Sequence, residues 1–167
     1  RVRTQVTAEW MRIMPGGGAA NAPSARARMG VAVSTFSKVG GDFYGEFIRR
    51  ELDKLGVDAS GIGVSARDTT AFTFVGVHPD GDRTFIHTPG ANTTLHLGEV
   101  NLDAVLGCDY LLYHDLWALP GRDGEPAAIL LAEAQKRGVV TFLDEDFGYG
   151  PRRELLVLHD VRGPGRV

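Results

Sequence analysis

Apolar residues recur along this chain at two spacings, and the change from one to the other marks out its elements. Phe43, Phe47, Ile48, Leu52 and Leu55 fall along one apolar stripe of a helix. Asp42 stands as its N-cap, Glu46 lies four residues before Arg50, and Gly56 closes it. A second helix is expected over 126–137, opened by Pro126, with Lys136 and Arg137 in its last turn and Gly138 after it. A third is expected over 19–29 with Gly30 as the stop, Pro23 being admissible in or near the first turn. Period-two alternation runs through 71–77 and 83–87, joined by Pro79-Asp80-Gly81-Asp82, and reads as a β-hairpin with Phe72 and Phe74 on one face and Thr73 on the other. Residues 31–39, 109–113 and 139–143 read as further strands, the last short, all-apolar and buried.

Strands alternating with helices imply an α/β fold with a mainly parallel sheet flanked by helices, the hairpin set apart as a small β lid. No internal repeat or low-complexity linker breaks the chain, and only residues 162–167 read as a disordered tail. One domain over 1–161 is therefore expected.

Composition narrows the classes. The 167 residues, 43% of them hydrophobic, are enough for a proper core. A net charge of −3 with acids and bases interspersed gives neither a nucleic-acid footprint nor a polybasic membrane surface. Cys108 is the one cysteine, and no Cys/His group has zinc spacing, which points to a reducing compartment. With no apolar run of membrane-spanning length and no signal-peptide pattern, a cytoplasmic protein is expected. His78, His87 and His96 recur every nine residues, a spacing that fits no helix face. Arg1 in place of Met implies a sequence cut from something longer.

Candidate chemistry gathers at Pro15-Gly16-Gly17-Gly18-Ala19-Ala20-Asn21, three glycines and an amide where a helix begins. Glycine permits positive φ and close approach, and unpaired N–H groups at a helix start attract oxygen-rich ligands. In open α/β sheets ligands bind beyond the carboxyl ends of the strands. Gly40, Gly41 and Asp42 fall at one such end, His114 and Asp115 at another, and Asp144, Glu145 and Asp146 at a third. These groups could line one crevice able to hold sugar hydroxyls. Each also has a structural reading: Asp42 as a helix cap, Asp144 and Asp146 as solvated loop acids, His114 as a satisfied polar residue at a strand edge, Trp117 as core. Gly16-x-Gly18 near a helix start is shared with dinucleotide fingerprints, although Asn21 replaces the third glycine.

From the triple glycine through Asn21 and Met29-Gly30 to Val39-Gly40-x-Asp42-x-x-Gly45, the chain resembles the N-terminal signature of the PfkB (ribokinase-like) carbohydrate kinases. Leu55-Gly56-Val57-Asp58, Pro79 to Phe85, Gly90-Ala91-Asn92 and Leu119-Pro120-Gly121 through Gly124-Glu125-Pro126 continue the likeness in order, over residues 12 to 161. The resemblance implies a ribokinase-like fold truncated at both ends, with lid elements at about 1–16 and 69–92. It implies that Gly17, Gly18, Asn21, Asp42 and Asp115 bind a sugar or nucleoside, with Asp144 and Asp146 as possible site acids. Many relatives have glycines where this chain reads His114-Asp115-Leu116-Trp117. ATP and Mg2+ are implied for the complete kinase, as is a homodimer through the lid. The Gly-Ala-Gly-Asp segment that carries the catalytic base, the Asn-x-x-Glu element and the first strand with its sugar-binding aspartate are not in this sequence. Phosphoryl transfer rests on positioning and charge neutralisation, so the isolated chain is expected to be inactive and to contain no catalytic residue. The alternatives are a non-catalytic or degenerate binder of a small polyol and, more remotely, a dinucleotide-binding domain.

Overall fold

The triple glycine ends where α1 (Gly18–Arg28) begins, one residue earlier than the spacing predicts, with Gly17 at φ 80° as its N-cap. Pro23 therefore lies beyond the first turn, buried inside the helix, where it has no N–H to give the carbonyl four residues back. That carbonyl, Ala19 O, is instead met by the buried hydroxyl of Thr35 at 2.8 Å. The computed structural model describes residues 7–116 and 118–145. Trp117, Asp146 and the tail at 162–167 lie outside them.

β1 (Ser37–Gly40) is shorter than the strand expected over 31–39. Its approach through Ser34 makes only an isolated bridge to Asp58 before the paired segment turns at Ser60-Gly61. α2 (Phe43–Lys54) starts at Asp42 as expected and ends before Gly56, at φ 78°. Leu52 is fully buried in its stripe, whereas Phe43 is 62% exposed and leaves it. β2 (Ile62–Ser65), which the sequence does not announce, pairs parallel with β1. The hairpin forms as read: β3 (Phe72–Val77) and β4 (Arg83–Thr88) pair antiparallel, Phe72 opposite Thr88 and Val77 opposite Arg83. Residues 7–16 add no strand to it. Two 3-10 turns, Gly90–Thr94 and Leu97–Glu99, and the short α3 (Leu102–Leu106) lead to β5 (Tyr110–Leu116). α4 (Glu125–Lys136) then crosses back to β6 (Val140–Glu145), parallel to β5.

Two buried clusters hold these elements. Ala20, Val39, Leu52, Val57 and Ile62 join α1, α2 and the β1–β2 pair. Val105, Leu106, Tyr113, Leu116, Leu130, Leu131 and Ala134 join α3, α4 and the β5–β6 pair. The expectation that 139–143 is buried on both faces is corrected: Val140 and Phe142 are about half exposed. α4 covers one face of β5–β6, while Tyr110, Val140 and Phe142 stay exposed on the other. Among the described residues the strands form three two-stranded ladders rather than one continuous sheet.

Candidate functional site

The N-terminus of α1 closes against the carboxyl end of β5. A Cβ at Gly18 would stand 2.5 Å from Cγ of His114, so only glycine lets the helix start come this near. Gly17 carries the positive φ that turns the chain into the helix, and space is open around it. Its carbonyl accepts from the amides of Ala20 and Asn21, which leaves the Gly18 and Ala19 N–H groups as donors without a protein acceptor among the described residues. Asn21 is exposed in the same turn, and its side-chain amide makes no hydrogen bond to the described residues. This is the donor-rich helix start that the glycine run implied.

His114 connects three elements. Packed against Gly18 of α1, it sits near the end of β5 with Nδ1 2.7 Å from Oδ2 of Asp144 on β6. Nδ1 is buried, and the two groups meet in close contact off the line of a hydrogen bond. Behind it, Nη2 of Arg122 donates to the His114 carbonyl, while the guanidinium lies 4.4 Å from the Tyr113 ring centroid. The Tyr113 hydroxyl donates to Arg122 O at 3.1 Å, and Leu119 N donates to Asp123 at 2.8 Å, so residues 118–124 are tied under the strand end. Burial pushes the Tyr113 hydroxyl up to about 12, Arg122 opposing the shift and Asp123 adding to it.

Asp115 is the one described non-glycine residue with positive φ, at 58°, where the β5–β6 register shifts between Tyr113 and Leu116. Aspartate tolerates this region better than most residues, and such outliers gather at functional sites.

Asp42 is placed differently. Oδ1 accepts from the Gly45 amide at 3.0 Å and the Thr70 hydroxyl at 2.7 Å, and Oδ2 accepts from the Thr70 amide at 2.8 Å. Burial works against its charge, but the bonds from Thr70, Gly45 and Tyr44 outweigh that and hold the carboxyl below its ordinary range. It caps α2 and clamps the root of the hairpin, its oxygens engaged by protein donors. Nearby, Asp68 accepts from Ser65 and Thr94 at 2.7 Å each, and Lys38 bonds Glu99 at 2.8 Å and the Thr94 carbonyl at 2.9 Å. Pattern reading found none of these partners, because Asp42 and Thr70 are 28 residues apart with no local signal. Of the expected site residues, Gly18 and Asp144 lie against His114, Gly17 and Asn21 belong to the same helix start as Gly18, and Asp115 follows His114 in the chain. Asp42 serves the hairpin, and Asp146 lies outside the described residues.

Parallel strand pairs, covering helices and a separate hairpin make this a ribokinase-like α/β structure. The ribokinase from Thermotoga maritima superposes with a TM-score of 0.68 at 22% identity, over 84% of this chain and 44% of its own. The sugar kinase PH1459 from Pyrococcus horikoshii, solved in complex with ATP, superposes at 0.65 and 24% identity, over 82% and 44%. Among curated relatives, "Probable fructokinase-4" of Arabidopsis thaliana is 36% identical over 93 residues, 54% of this chain and 28% of that protein. The family model described as pfkB family carbohydrate kinase matches residues 2–155, and the chain belongs to that family. It spans about half the length, or less, of the relatives it matches.

Proposed function

We propose that this chain is the sugar-binding and lid half of an ATP-dependent carbohydrate kinase. Gly17, Gly18, Asn21 and Asp115 hold hydroxyls of a sugar or nucleoside, and the β3–β4 hairpin closes over it. The approach of Gly18 to His114 carries this reading, since it brings two free backbone donors and an unpaired amide to the end of β5. Family membership and the names of the curated relatives support a sugar as substrate. ATP and magnesium belong to the proposal through the family. Among the described residues no three His, Cys, Asp or Glu side chains gather as a metal site would require, so no step is assigned to them here. The catalytic base lies in sequence outside these 167 residues, and the chain alone transfers no phosphoryl group.

Pairing of two hairpins in a homodimer belongs to the same reading, supported by the exposure of Phe74, Val75, Val77, Phe85 and Ile86. The dinucleotide alternative is disfavoured because no strand precedes the glycine run within residues 7–16. Calorimetric titration with fructose and ribose, alongside ADP release from ATP and magnesium, tests the proposal. Sugar binding without ADP release is expected. Absence of any sugar binding to the folded chain overturns it, and ADP release that depends on sugar overturns the division of labour.

A further inference from the structure

We propose that the β3–β4 hairpin is a stiff arm hinged at Ala71 and Pro89, and that Tyr44 is the positioning residue that sets the direction in which it stands. The inference rests on the lid reading above and adds to it the pivot and the residue that aims the arm.

The root of the arm is fixed. Thr70 is buried, its amide and hydroxyl both donate to Asp42, and its hydroxyl oxygen accepts from the Gly40 amide at 2.9 Å. Where the chain returns, Ala91 is fully buried and its amide donates to the Thr69 carbonyl at 2.8 Å. Gly90, at φ 47°, passes so near the Thr69 carbonyl oxygen that a Cβ there would overlap it. The outgoing and returning segments are therefore held side by side.

The arm beyond the root is stiff as well. β3 and β4 pair along their whole length, from Phe72 opposite Thr88 to Val77 opposite Arg83. Thr73 and His87 share a hydrogen bond across the strands at 2.8 Å, His78 and Thr84 share another at 2.8 Å, and the His78 amide closes the turn on the Asp82 carbonyl. Yet every residue of the two strands except Gly76 is exposed. Burial ends within a few residues of Thr70 and Ala91, so bending falls on the unpaired residues between root and strands, Ala71 on one side and Pro89 on the other. An arm of this length reaches about 20 Å, so a turn of about 10° at the root carries its tip by about 3–4 Å.

A contact beside the hinge governs such an arm. Tyr44, in the first turn of α2, meets Phe72, the first residue of β3, with ring centroids 5.0 Å apart and planes at 41°. The start of α2 is a firm seat for Tyr44, because Asp42 caps the helix and grips Thr70 with the same carboxylate. Phe72 lies next to the pivot and sweeps the smallest arc, so the two rings can stay in contact through a swing and guide it. Both keep over a third of their surface, 36% for Tyr44 and 37% for Phe72, so neither ring is needed to fill the core. An arm aimed in advance loses less freedom when it settles over a ligand.

The test is the spread of distances between spin labels at Asp80→Cys, on the turn, and Lys136→Cys, at the end of α4, in a Cys108→Ser background, together with calorimetry using fructose and ribose. Tyr44→Ala should broaden the distribution about twofold and weaken sugar binding about three- to tenfold, whereas Tyr44→Phe, which keeps the ring, should leave both as in the wild type. Phe72→Ala should match Tyr44→Ala, and the double variant should add nothing, since all three lose the same contact. Phe72→Ala also serves if Tyr44→Ala does not fold. Distributions as narrow in both alanine variants as in the wild type overturn the inference and leave the sugar-binding reading standing. Broadening with no loss of affinity for a sugar that the wild type binds overturns the part of Tyr44 in binding. If the folded wild type binds neither sugar, the reading beneath falls and the positioning role with it.

Discussion

The hydroxyl of Thr35 donates at 2.8 Å to the carbonyl of Ala19, the acceptor that Pro23 strips of its helical partner. A proline inside a helix normally costs about 3 kcal/mol, partly through the missing i to i−4 hydrogen bond. Here a buried side chain from the approach to β1 replaces that bond, and in doing so fastens α1 to the strand it packs on.

The first prediction follows from that replacement. Thr35→Val keeps the shape but leaves a carbonyl without its donor, and should lower stability by about 1–3 kcal/mol. Pro23→Ala restores an N–H in reach of Ala19 O, so the double variant should lose less than the sum of the single losses. Urea denaturation of the four proteins measures it. Strict additivity would show that Thr35 does not stand in for the proline.

A second prediction concerns the glycine run. Ala at position 18 would put its methyl 2.5 Å from the imidazole of His114, whereas at Gly16 nothing lies within 4 Å and φ is not positive. Gly18→Ala should therefore destabilise by about 1–3 kcal/mol, as overpacking does. It should also disturb the His114 ring resonances. Gly16→Ala should leave both within error. Equal effects in thermal unfolding and in the spectra would deny that Gly18 is needed for closeness.

How far the sequence led differs by element. α2 was legible to the residue at its start, because cap, stripe and terminating glycine are all local signals around Asp42 and Gly56. β2 was not, since Ile62-Gly63-Val64-Ser65 is four residues with a glycine and only two apolar side chains. Burial of Val140 and Phe142 was overread, because an apolar run reveals a strand but not whether both its faces find cover. Around the site, the types and their places at strand ends could be read, and the glycines' need for closeness was inferred. That Gly18 meets His114, and that Asp42 holds Thr70, are contacts between distant segments, which no local pattern encodes.

Asp42 gives the third prediction. Its carboxyl is held below the ordinary value of 3.8, so ionised Asp42 stabilises the fold fully above that value, and the contribution is lost as pH falls below 3.8 through the folded-state value. Asp68, lowered by its bonds from Ser65 and Thr94, acts in the same sense. Asp42→Ala should cost about 0.5–2 kcal/mol near neutral pH through the lost cap alone. It should also flatten the acid limb of the stability profile below pH 3.8. Hydrogen exchange should quicken at Thr70, whose amide loses its acceptor. An acid limb as steep in Asp42→Ala as in the wild type would refute the assignment.

Asp115 supplies the last prediction, because backbone and side chain there pull in opposite directions. Its φ of 58° lies where glycine is at ease and other residues pay strain, aspartate less than most. Asp115→Gly should therefore leave stability unchanged or raise it by less than about 1 kcal/mol, the relief of strain being partly offset by the freer unfolded chain. The side chain, however, is one of the groups proposed to hold sugar hydroxyls, so the same variant should bind fructose or ribose several-fold more weakly. Asp115→Ala should bind as poorly and also be less stable than Asp115→Gly, since alanine gains nothing from a left-handed backbone. Urea denaturation and calorimetry on the two variants separate the effects. A loss of stability in Asp115→Gly would mean that the side chain holds the bulge together, and unchanged sugar affinity in both would remove Asp115 from the site.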